Sequence, residues 1–355
     1  MNYKFINGEA SEMTGIKQAI YPRPLRRGDH VRVIAPSRAL SVITGIDTGD
    51  YLAKVTTETL GQWGLRVSFG RHVEEIDYGH VSPVDLRVTD LHEAFADPSV
   101  DGILTVIGGD HSNEMLPLLD YELIRNNPKV FCGYSDITAL HNAINAKTGL
   151  VTFSGPHWST FGMRDYNETT CQSFSEAVLG DGEIVWQASD WFTDDQWYLD
   201  QDERSPEPND GWWIIQPGRA EGRTVGSNLS TFCLLNGTEY QPDLDGTVLF
   251  VEATIDHDLG SFRRLLVSIF QQPAAADIRA VIIGRFQKGS GVDREALENA
   301  IASLSPLQGI PVIANVDFGH TNPMLTFPVG GTVRVLAEGN EASIALSRAT
   351  LRRSV

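Results

Sequence analysis

The chain has 355 residues, enough for two domains with a core each, and 41% hydrophobic with 21% charged residues is an ordinary globular composition. The formal net charge of −18 predicts a surface that repels nucleic-acid polymers and anionic membranes, so neither is expected as a partner. No apolar run is long enough to span a membrane. Residues 1–15 lack the basic and apolar regions of a signal peptide, and three cysteines without metal spacing fit a reducing, cytoplasmic location.

Strands and helices are predicted to alternate through the first part of the chain. The predicted strands lie at 31–35, 65–69, 103–107, 130–132 and 151–153, with helices at 48–63 and 84–96. Alternation of this kind is typical of a mostly parallel sheet covered by helices on both faces.

The pattern breaks down between residues 163 and 223 and then resumes. The irregular part is acidic and carries five of the seven tryptophans, which we expect to pack either on the protein's own core or on a ligand. Beyond it, strands are predicted at 247–251, 280–283 and 311–316, helices at 258–270 and 294–304, and a terminal hairpin from 332–336 and 342–346.

These elements predict an α/β fold in three parts. Residues 1–165 form an N-terminal domain with a mostly parallel sheet, flanking helices and a nucleophile elbow. Residues 166–221 form a Trp-rich acidic loop or linker, and residues 222–355 form a smaller α/β domain with a mixed sheet. We expect the two domains to meet at the elbow, because ligand sites favour domain interfaces.

A serine between a strand and a helix is the first candidate for chemistry. The strand at 130–132 leads into the turn GYSD, whose serine is Ser135. Such a turn pushes a hydroxyl clear of the sheet, beside the free N–H groups of a helix N-terminus, as in a nucleophile elbow. The G-x-S-x-G form is not met, because Ile137 occupies the last glycine position. Ser135 is therefore interpreted as a nucleophile or as an ordinary helix N-cap.

A serine nucleophile needs a base. His320 lies on a loop directly after a predicted strand, where the sites of α/β proteins gather. His111 and His157 are weaker candidates, and His141 is predicted to face away from the hydroxyl. A lone loop histidine is otherwise simply solvated, so His320 needs a partner to support this role.

A carboxylate that orients the base is predicted at the end of an apolar strand. Glu252 occupies that position, where a buried carboxylate must be paired. Its partner is either the imidazole of His320 or an arginine such as Arg285. The first alternative produces the chain order Ser…Glu…His that α/β-hydrolases also use.

The turn Gly108-Gly109-Asp110 follows a parallel strand and offers backbone N–H groups. The N–H groups of Gly109 and Asp136 are the candidate oxyanion hole. A mononucleotide-binding turn is the other interpretation, but neither G-x-G-x-x-G nor GxxxxGK[ST] is present. H-E-x-x-H and C-x-x-C strings are also missing, so no metal site is expected, and no carboxylate pair of the glycosidase type is singled out.

Longer segments carry a resemblance to a known family. They are VIAPS, GGDHSN before LPLLDYELIRNNPK, GYSDITALHNAINAKTGLVTFSGP, GSNLSTFCLLNGTEYQPDLDGTVLFVEA, IIGRF and GHTNPMLTFPVG, which together span nearly the whole chain. The chain resembles the serine peptidases that comprise LD-carboxypeptidases and microcin C immunity peptidases. The resemblance implies a homodimer and a catalytic triad of Ser135, Glu252 and His320, with an oxyanion hole at Gly109 and Asp136 and no cofactor.

Further site positions follow from the same resemblance. Asn228 matches a position that lines the site, and the preceding Ser227 departs from the family, where glycine is commoner. The Trp-rich acidic segment 190–213 resembles the immunity branch, in which a longer loop brings an aromatic face over a nucleotide base. Trp191, Trp197 and Asp110 are therefore candidate substrate-binding residues.

The resemblance implies hydrolysis of an amide bond in a small-molecule substrate, an aminoacyl- or peptidyl-nucleotide conjugate. One alternative is an LD-carboxypeptidase that removes the terminal D-alanine of a murein tetrapeptide, and another is an amidase acting on N-acyl amino acids. A third alternative is a non-catalytic binding module for peptide–nucleotide conjugates. Such a module would be marked by loss of a triad member, and none is lost.

Overall fold

The computed structural model describes residues 18–77 and 79–347, so the signal-peptide prediction for residues 1–15 lies outside the described residues. The helices in this part are α1 (Ser41–Thr44), α2 (Gly49–Gln62), α3 (Val84–Ala96), α4 (Tyr121–Asn126), α5 (Thr138–Thr148), α6 (Glu168–Val178), α7 (Leu229–Cys233), α8 (Leu259–Phe270) and α9 (Arg294–Ala302). The strands are β1 (His30–Ile34), β2 (Arg66–Phe69), β3 (Gly102–Thr105), β4 (Val130–Gly133), β5 (Thr152–Ser154), β6 (Ile184–Trp186), β7 (Trp191–Phe192), β8 (Glu207–Pro208), β9 (Trp213–Gln216), β10 (Gly218–Asn228), β11 (Thr247–Glu252), β12 (Ala280–Gly284), β13 (Val312–Val316), β14 (Phe327–Val329), β15 (Thr332–Glu338) and β16 (Glu341–Ser347).

The first sheet has the strand order β14-β5-β4-β3-β1-β2. Strands β1 to β5 run parallel to their neighbours, and β14 joins the edge antiparallel to β5. Strands β3 and β4 are buried along their whole length, as expected for parallel strands covered on both faces. Because β4 is central, its carboxyl end places the following turn in the interior.

The second sheet has the order β6-β16-β15-β10-β11-β12-β13-β9. Its centre, β10 to β13, is parallel, while β15, β16, β6 and β9 pair antiparallel. The apolar strand β11 is buried from end to end, so Glu252 at its carboxyl end lies in the interior. The two sheets confirm the predicted α/β fold class, with one mostly parallel and one mixed sheet.

The segment 163–223 is more regular than its sequence pattern predicts. It contains helix α6 and the strands β6, β7, β8 and β9, and it ends within β10. Strands β6, β9 and β10 belong to the second sheet, while β7 and β8 pair with each other. The buried face of α6 includes Thr170 and Ser173 beside Phe174, so polar residues interrupt its apolar period. Strand β10 buries glycine, threonine and serine near its end. Because glycine and serine are not typical strand residues, the sequence pattern does not predict a strand there. The division into three domains remains a prediction.

Candidate active site

Ser135 occupies a strained turn between β4 and α5. Its φ is +58°, a left-handed conformation that is uncommon for a residue other than glycine. The N-cap of α5 is Ile137 and makes no side-chain capping bond. The Ser135 hydroxyl instead hydrogen-bonds to an imidazole in the other half of the chain. The N-cap interpretation of Ser135 is therefore not what the structure shows.

Three predicted residues form a continuous hydrogen-bonded chain. The Nε2 atom of His320 lies 3.0 Å from Ser135 Oγ, and its Nδ1 lies 2.7 Å from Glu252 Oε2. A carboxylate only accepts, so Nδ1 carries the proton and Nε2 is free to accept the serine proton. Arg285, the alternative partner of Glu252, instead pairs with Asp317 at 2.7 Å.

Asn228 fixes the far side of the carboxylate. Its Nδ2 donates to Glu252 Oε1 over 3.0 Å, while its Oδ1 accepts from the backbone N–H of Thr231 and caps α7. Glu252 has no exposed surface, so both carboxylate oxygens receive a donor inside the protein. Asn228 thus contacts Glu252 and is not part of the cavity lining.

Two glycines allow close approach around these residues. A Cβ on Gly319 would lie 2.8 Å from Glu252 Oε2, and its φ of +102° also disfavours any side chain. A Cβ on Gly108 would lie 3.1 Å from Ser135 Oγ and 3.5 Å from the backbone nitrogen of Asp136. The Gly-Gly turn therefore lies directly beside the serine hydroxyl and the N–H that follows it.

The side chain of Asp136 ties the elbow to its neighbours. Its buried Oδ2 accepts hydrogen bonds from Ser37 Oγ at 2.6 Å and from the backbone N–H groups of His111 and Ser112. Ser112 Oγ donates in turn to the Asp136 carbonyl at 2.6 Å. Ser37 lies in the VIAPS segment, but nothing local in the sequence predicts its contact with Asp136.

Polar contacts join the elbow helix to the second sheet. Asn142 on α5 accepts from the N–H of Gly226 and donates to its carbonyl, and Thr138 Oγ1 accepts from the N–H of Asn228. The hydroxyls of Ser154 and Ser227 lie 2.8 Å apart. Ser227 has a φ of +130°, which explains physically why glycine suits this position. These contacts bring Ser135 and Glu252 together from different sheets.

The pKa values of the histidines near the site are shifted in different directions. Burial lowers the pKa of His320, but the charge and hydrogen bond of Glu252, with a contribution from Asp256, outweigh it and raise the pKa above its usual value of 6.5. Burial lowers the pKa of His141 to about 4 and that of His157 well below its usual range. His141 Nε2 contacts the Gly133 carbonyl at 2.8 Å, away from the serine hydroxyl as predicted.

A cavity of about 670 Å³ opens above Ser135 and His320. Its walls come from both halves of the chain and include Gly109, His157 and the segment 194–199 with Trp197. The cavity therefore provides room for a small molecule next to the serine hydroxyl.

Two other predicted substrate contacts lie outside the cavity lining. Asp110 is exposed and pairs with Arg38, which does line the cavity, at 3.2 Å. Trp191 packs near the ring of Tyr166, with centroids 5.4 Å apart. His111, one of the weaker base candidates, contributes its N–H to Asp136 and its carbonyl to the guanidinium of Arg87.

Within residues 18–77 and 79–347, no group of three or more His, Cys, Asp or Glu side chains could hold a metal ion. In the same residues no helix is both long and apolar enough to cross a bilayer. Cys132 is fully buried in β4, where burial raises the pKa of its thiol.

Comparison with protein families shows which family the chain belongs to. Residues 31–155 match the LD-carboxypeptidase N-terminal domain and residues 221–335 match the LD-carboxypeptidase C-terminal domain. The chain belongs to the LD-carboxypeptidase family. A family member from Bacillus subtilis that is named as a carboxypeptidase, YocD, is 42% identical over 330 residues, which cover 93% of this chain and 100% of that protein.

The microcin branch of the family is represented as well. The microcin C7 self-immunity protein MccF of Escherichia coli is 30% identical over 297 residues, covering 81% of this chain and 86% of that protein. The crystal structure of an MccF-like protein from Bacillus anthracis is 43% identical, has a TM-score of 0.90 and covers 93% of this chain and 99% of that chain. MccF in complex with aspartyl sulfamoyl adenosine matches with a TM-score of 0.80 at 28% identity, covering 94% of this chain and 100% of that chain.

Proposed function

We propose that this LD-carboxypeptidase family member is a serine hydrolase that cleaves an amide bond in a small aminoacyl- or peptidyl-nucleotide conjugate. The observation that carries the proposal is the chain of contacts from Ser135 through His320 to Glu252, in which Ser135 and His320 line the cavity. A buried carboxylate, an imidazole with a raised pKa and a hydroxyl in hydrogen-bond reach are the parts of a nucleophilic triad.

In the acylation step, Ser135 Oγ attacks the amide carbonyl carbon and His320 Nε2 takes the hydroxyl proton. Glu252 keeps the proton on Nδ1 and stabilises the imidazolium that forms. The backbone N–H groups of Gly109 and Asp136 are proposed to stabilise the oxyanion, because their turns flank the serine hydroxyl. The carbon–nitrogen bond then breaks while His320 donates this proton to the leaving nitrogen, and the acyl group remains joined to Ser135 Oγ as an ester.

The deacylation step repeats this chemistry with water. His320 takes a proton from a water molecule, whose oxygen attacks the ester carbonyl on Ser135. The carbon–oxygen bond to the serine breaks, and the proton passes back to Ser135 Oγ. The products are a carboxylic acid and an amine, and the triad regains its starting protonation state.

The segment 194–199 supports a nucleotide-bearing substrate. The rings of Trp197 and Tyr198 lie 5.9 Å apart and both line the cavity. Indole and phenol faces stack on flat heteroaromatic rings without demanding one base. Complexes of MccF contain aspartyl sulfamoyl adenosine and glutamyl sulfamoyl guanosine, which combine an aminoacyl group with a nucleoside.

An LD-carboxypeptidase activity on murein tetrapeptide is the second candidate. The murein tetrapeptide carboxypeptidase of Pseudomonas aeruginosa is 26% identical over 319 residues, which favours the same reaction type on a peptide. Arg38 lines the cavity and could attract a terminal carboxylate. The same triad would act in this case, so the two candidates differ in substrate and not in chemistry.

Product analysis distinguishes the two substrates. We expect the protein to hydrolyse an aminoacyl-sulfamoyl nucleoside, and to leave a murein tetrapeptide largely uncut, because Trp197 and Tyr198 offer stacking surface to a base. Mass spectrometry of both incubations gives the answer, with Trp197→Ala as the variant that weakens only the nucleoside reaction. Release of D-alanine from the tetrapeptide alone would replace the nucleotide proposal with the murein one.

The pH dependence of kcat/KM tests the base. His320 must be neutral to accept the serine proton, and its pKa lies above 6.5, so the rate should fall as the pH drops through that pKa. The expected slope is about tenfold per pH unit on the acid side. A rate that stays constant from about pH 5 to pH 8 would contradict a histidine base.

A homodimer is proposed with this function on the family resemblance alone, and a cytoplasmic location on the three cysteines without metal spacing. Light scattering behind a sizing column measures the assembly directly. A binding module without catalysis remains the alternative if no amide substrate is turned over, and Ser135→Ala would then leave ligand affinity unchanged.

A further inference from the structure

One stretch of chain connects the cavity wall to the loop that carries His320. Residues 189–212, here called the strap, include β7, β8 and the cavity-lining segment with Trp197. Residues 317–322, here called the His320 loop, follow β13. Hydrogen bonds attach the strap to the end of β13 and to the His320 loop at three places.

The first attachment is the buried carboxylate of Asp317, three residues before His320. Its Oδ2 accepts from Trp212 Nε1 at 2.9 Å and from the Ser189 N–H at 3.2 Å, and its Oδ1 lies 3.1 Å from Ser189 Oγ, which also contacts the Trp191 carbonyl. Ser189 and Trp212 are the two ends of the strap. One carboxylate thus holds both ends against the start of the His320 loop.

The second attachment is Asn315, at the end of β13. Its Nδ2 donates to Asn209 Oδ1 at 3.0 Å and to the Gly211 carbonyl at 2.8 Å. Its Oδ1 accepts from Arg285 Nε at 3.0 Å, and Arg285 also donates to Asp317. The guanidinium of Arg285 lies 4.9 Å from the ring centroid of Phe192 in the strap.

The third attachment is a backbone bridge on the other side of His320. The N–H of Thr193 donates to the Asn322 carbonyl, and the N–H of Asn322 donates to the Thr193 carbonyl, each over 2.8 Å. Both residues are buried. Because Asp317 and Asn322 bracket His320, the loop is held by the strap before and after the imidazole.

We propose that the strap is the positioning element for His320, with Trp212 and Asp317 as positioning residues. This inference rests on the proposed function, since it assumes that His320 is the base. Hydrogen bonds to buried residues lie on both sides of the imidazole, so a displacement of the strap also displaces the His320 loop. The Trp-rich segment then has a role besides lining the cavity.

A consequence concerns the substrate. Trp197 belongs to the strap, so a group that packs against Trp197 also stabilises the arrangement in which Nε2 faces Ser135 Oγ. Binding energy from a part of the substrate remote from the reacting carbonyl would then raise kcat as well as lower KM. A substrate truncated on that side should lose kcat.

Two neighbouring tryptophans provide a matched pair of variants. Trp212→Phe removes the bond to Asp317, whereas Trp213→Phe removes only bonds from Trp213 Nε1 to Asp210 at 3.2 and 3.3 Å. Both side chains are half-buried. We expect Trp212→Phe to lower kcat at least about fivefold with little change in KM, since small misplacements of a base are costly. Trp213→Phe should stay within about twofold of the unaltered protein.

The pH profile separates positioning from general destabilisation. The groups that face His320 are Glu252, Asp256, His157 and Tyr134, whose ring centroid lies 5.2 Å from that of His320. Loosening the His320 loop weakens the contact with Glu252, which is a main cause of the raised pKa. The acid limb of kcat/KM should therefore move to lower pH in Trp212→Phe and not in Trp213→Phe.

The decisive comparison uses Trp212→Phe, Trp213→Phe and Ser135→Ala on one amide substrate, with thermal unfolding of each. A lower kcat and a shifted acid limb confined to Trp212→Phe would support the strap as positioning element. Equal kcat and pH profiles in the two tryptophan variants, with Ser135→Ala inactive, would overturn the strap inference alone. An active Ser135→Ala protein would overturn the proposed function itself.

Discussion

Ser135→Ala is expected to lower kcat/KM for amide hydrolysis by at least about a thousandfold, since loss of a triad nucleophile leaves only binding and oxyanion contacts. The variant removes the atom that lies 3.0 Å from His320 Nε2 and leaves the elbow backbone in place. Alanine also tolerates the positive φ at position 135 no worse than serine does. The protein should therefore remain folded while activity is lost.

The control for this experiment is a serine outside the site. Ser175 lies on α6, and its hydroxyl contacts only the Gln172 carbonyl among the described residues. Ser175→Ala should hydrolyse substrate at the rate of the unaltered protein. Circular dichroism and initial rates on the same preparations complete the comparison, and full turnover by Ser135→Ala would refute the nucleophile.

Glu252→Gln is expected to lower kcat/KM by at least about a hundredfold, because the orienting carboxylate sets the tautomer of the base. The glutamine oxygen can accept from either Asn228 Nδ2 or His320 Nδ1, while its NH2 group would face the other as a second donor. A neutral imidazole relieves the clash by moving its proton to Nε2. That tautomer cannot accept the proton of Ser135.

Glu338 is a suitable control carboxylate for this substitution. It forms an exposed ion pair with Arg219 at 2.6 Å, and neither residue lines the cavity above Ser135. Glu338→Gln should leave kcat/KM unchanged within about twofold, since exposed pairs contribute little. If Glu252→Gln retained the activity of Glu338→Gln, the role of Glu252 as orienting carboxylate would be wrong.

Much of the fold can be predicted from local patterns in the sequence. Strands such as β11 and β12 are continuous apolar runs, and α8 and α9 directly follow Asp258 and Asp293, whose side chains cap them. Predicted and observed boundaries for α2 and β2 agree within one residue. Ser135, Glu252 and His320 can be proposed as site residues from the sequence because each stands next to the end of such an element.

The remainder depends on contacts between residues far apart in the chain. Nothing local in the sequence shows that Asp317 binds Trp212 and Ser189, which lie 105 and 128 positions away. The residues of β10 have weak strand propensity, and they form a strand because they pair with β11 and β15. Tertiary contacts therefore determine the structure of the segment 163–223, and local periodicity does not predict it.

Covalent labelling tests the central claim, that Ser135 is an activated nucleophile. A fluorophosphonate reacts with a serine whose proton is taken by a neighbouring base, so intact-protein and peptide mass spectrometry should find one adduct, located on Ser135. Labelling should slow below the pKa of His320, be missing in Ser135→Ala and abolish hydrolysis in proportion to its extent. An adduct on another serine, or a protein that remains fully active with Ser135 labelled, would contradict the account.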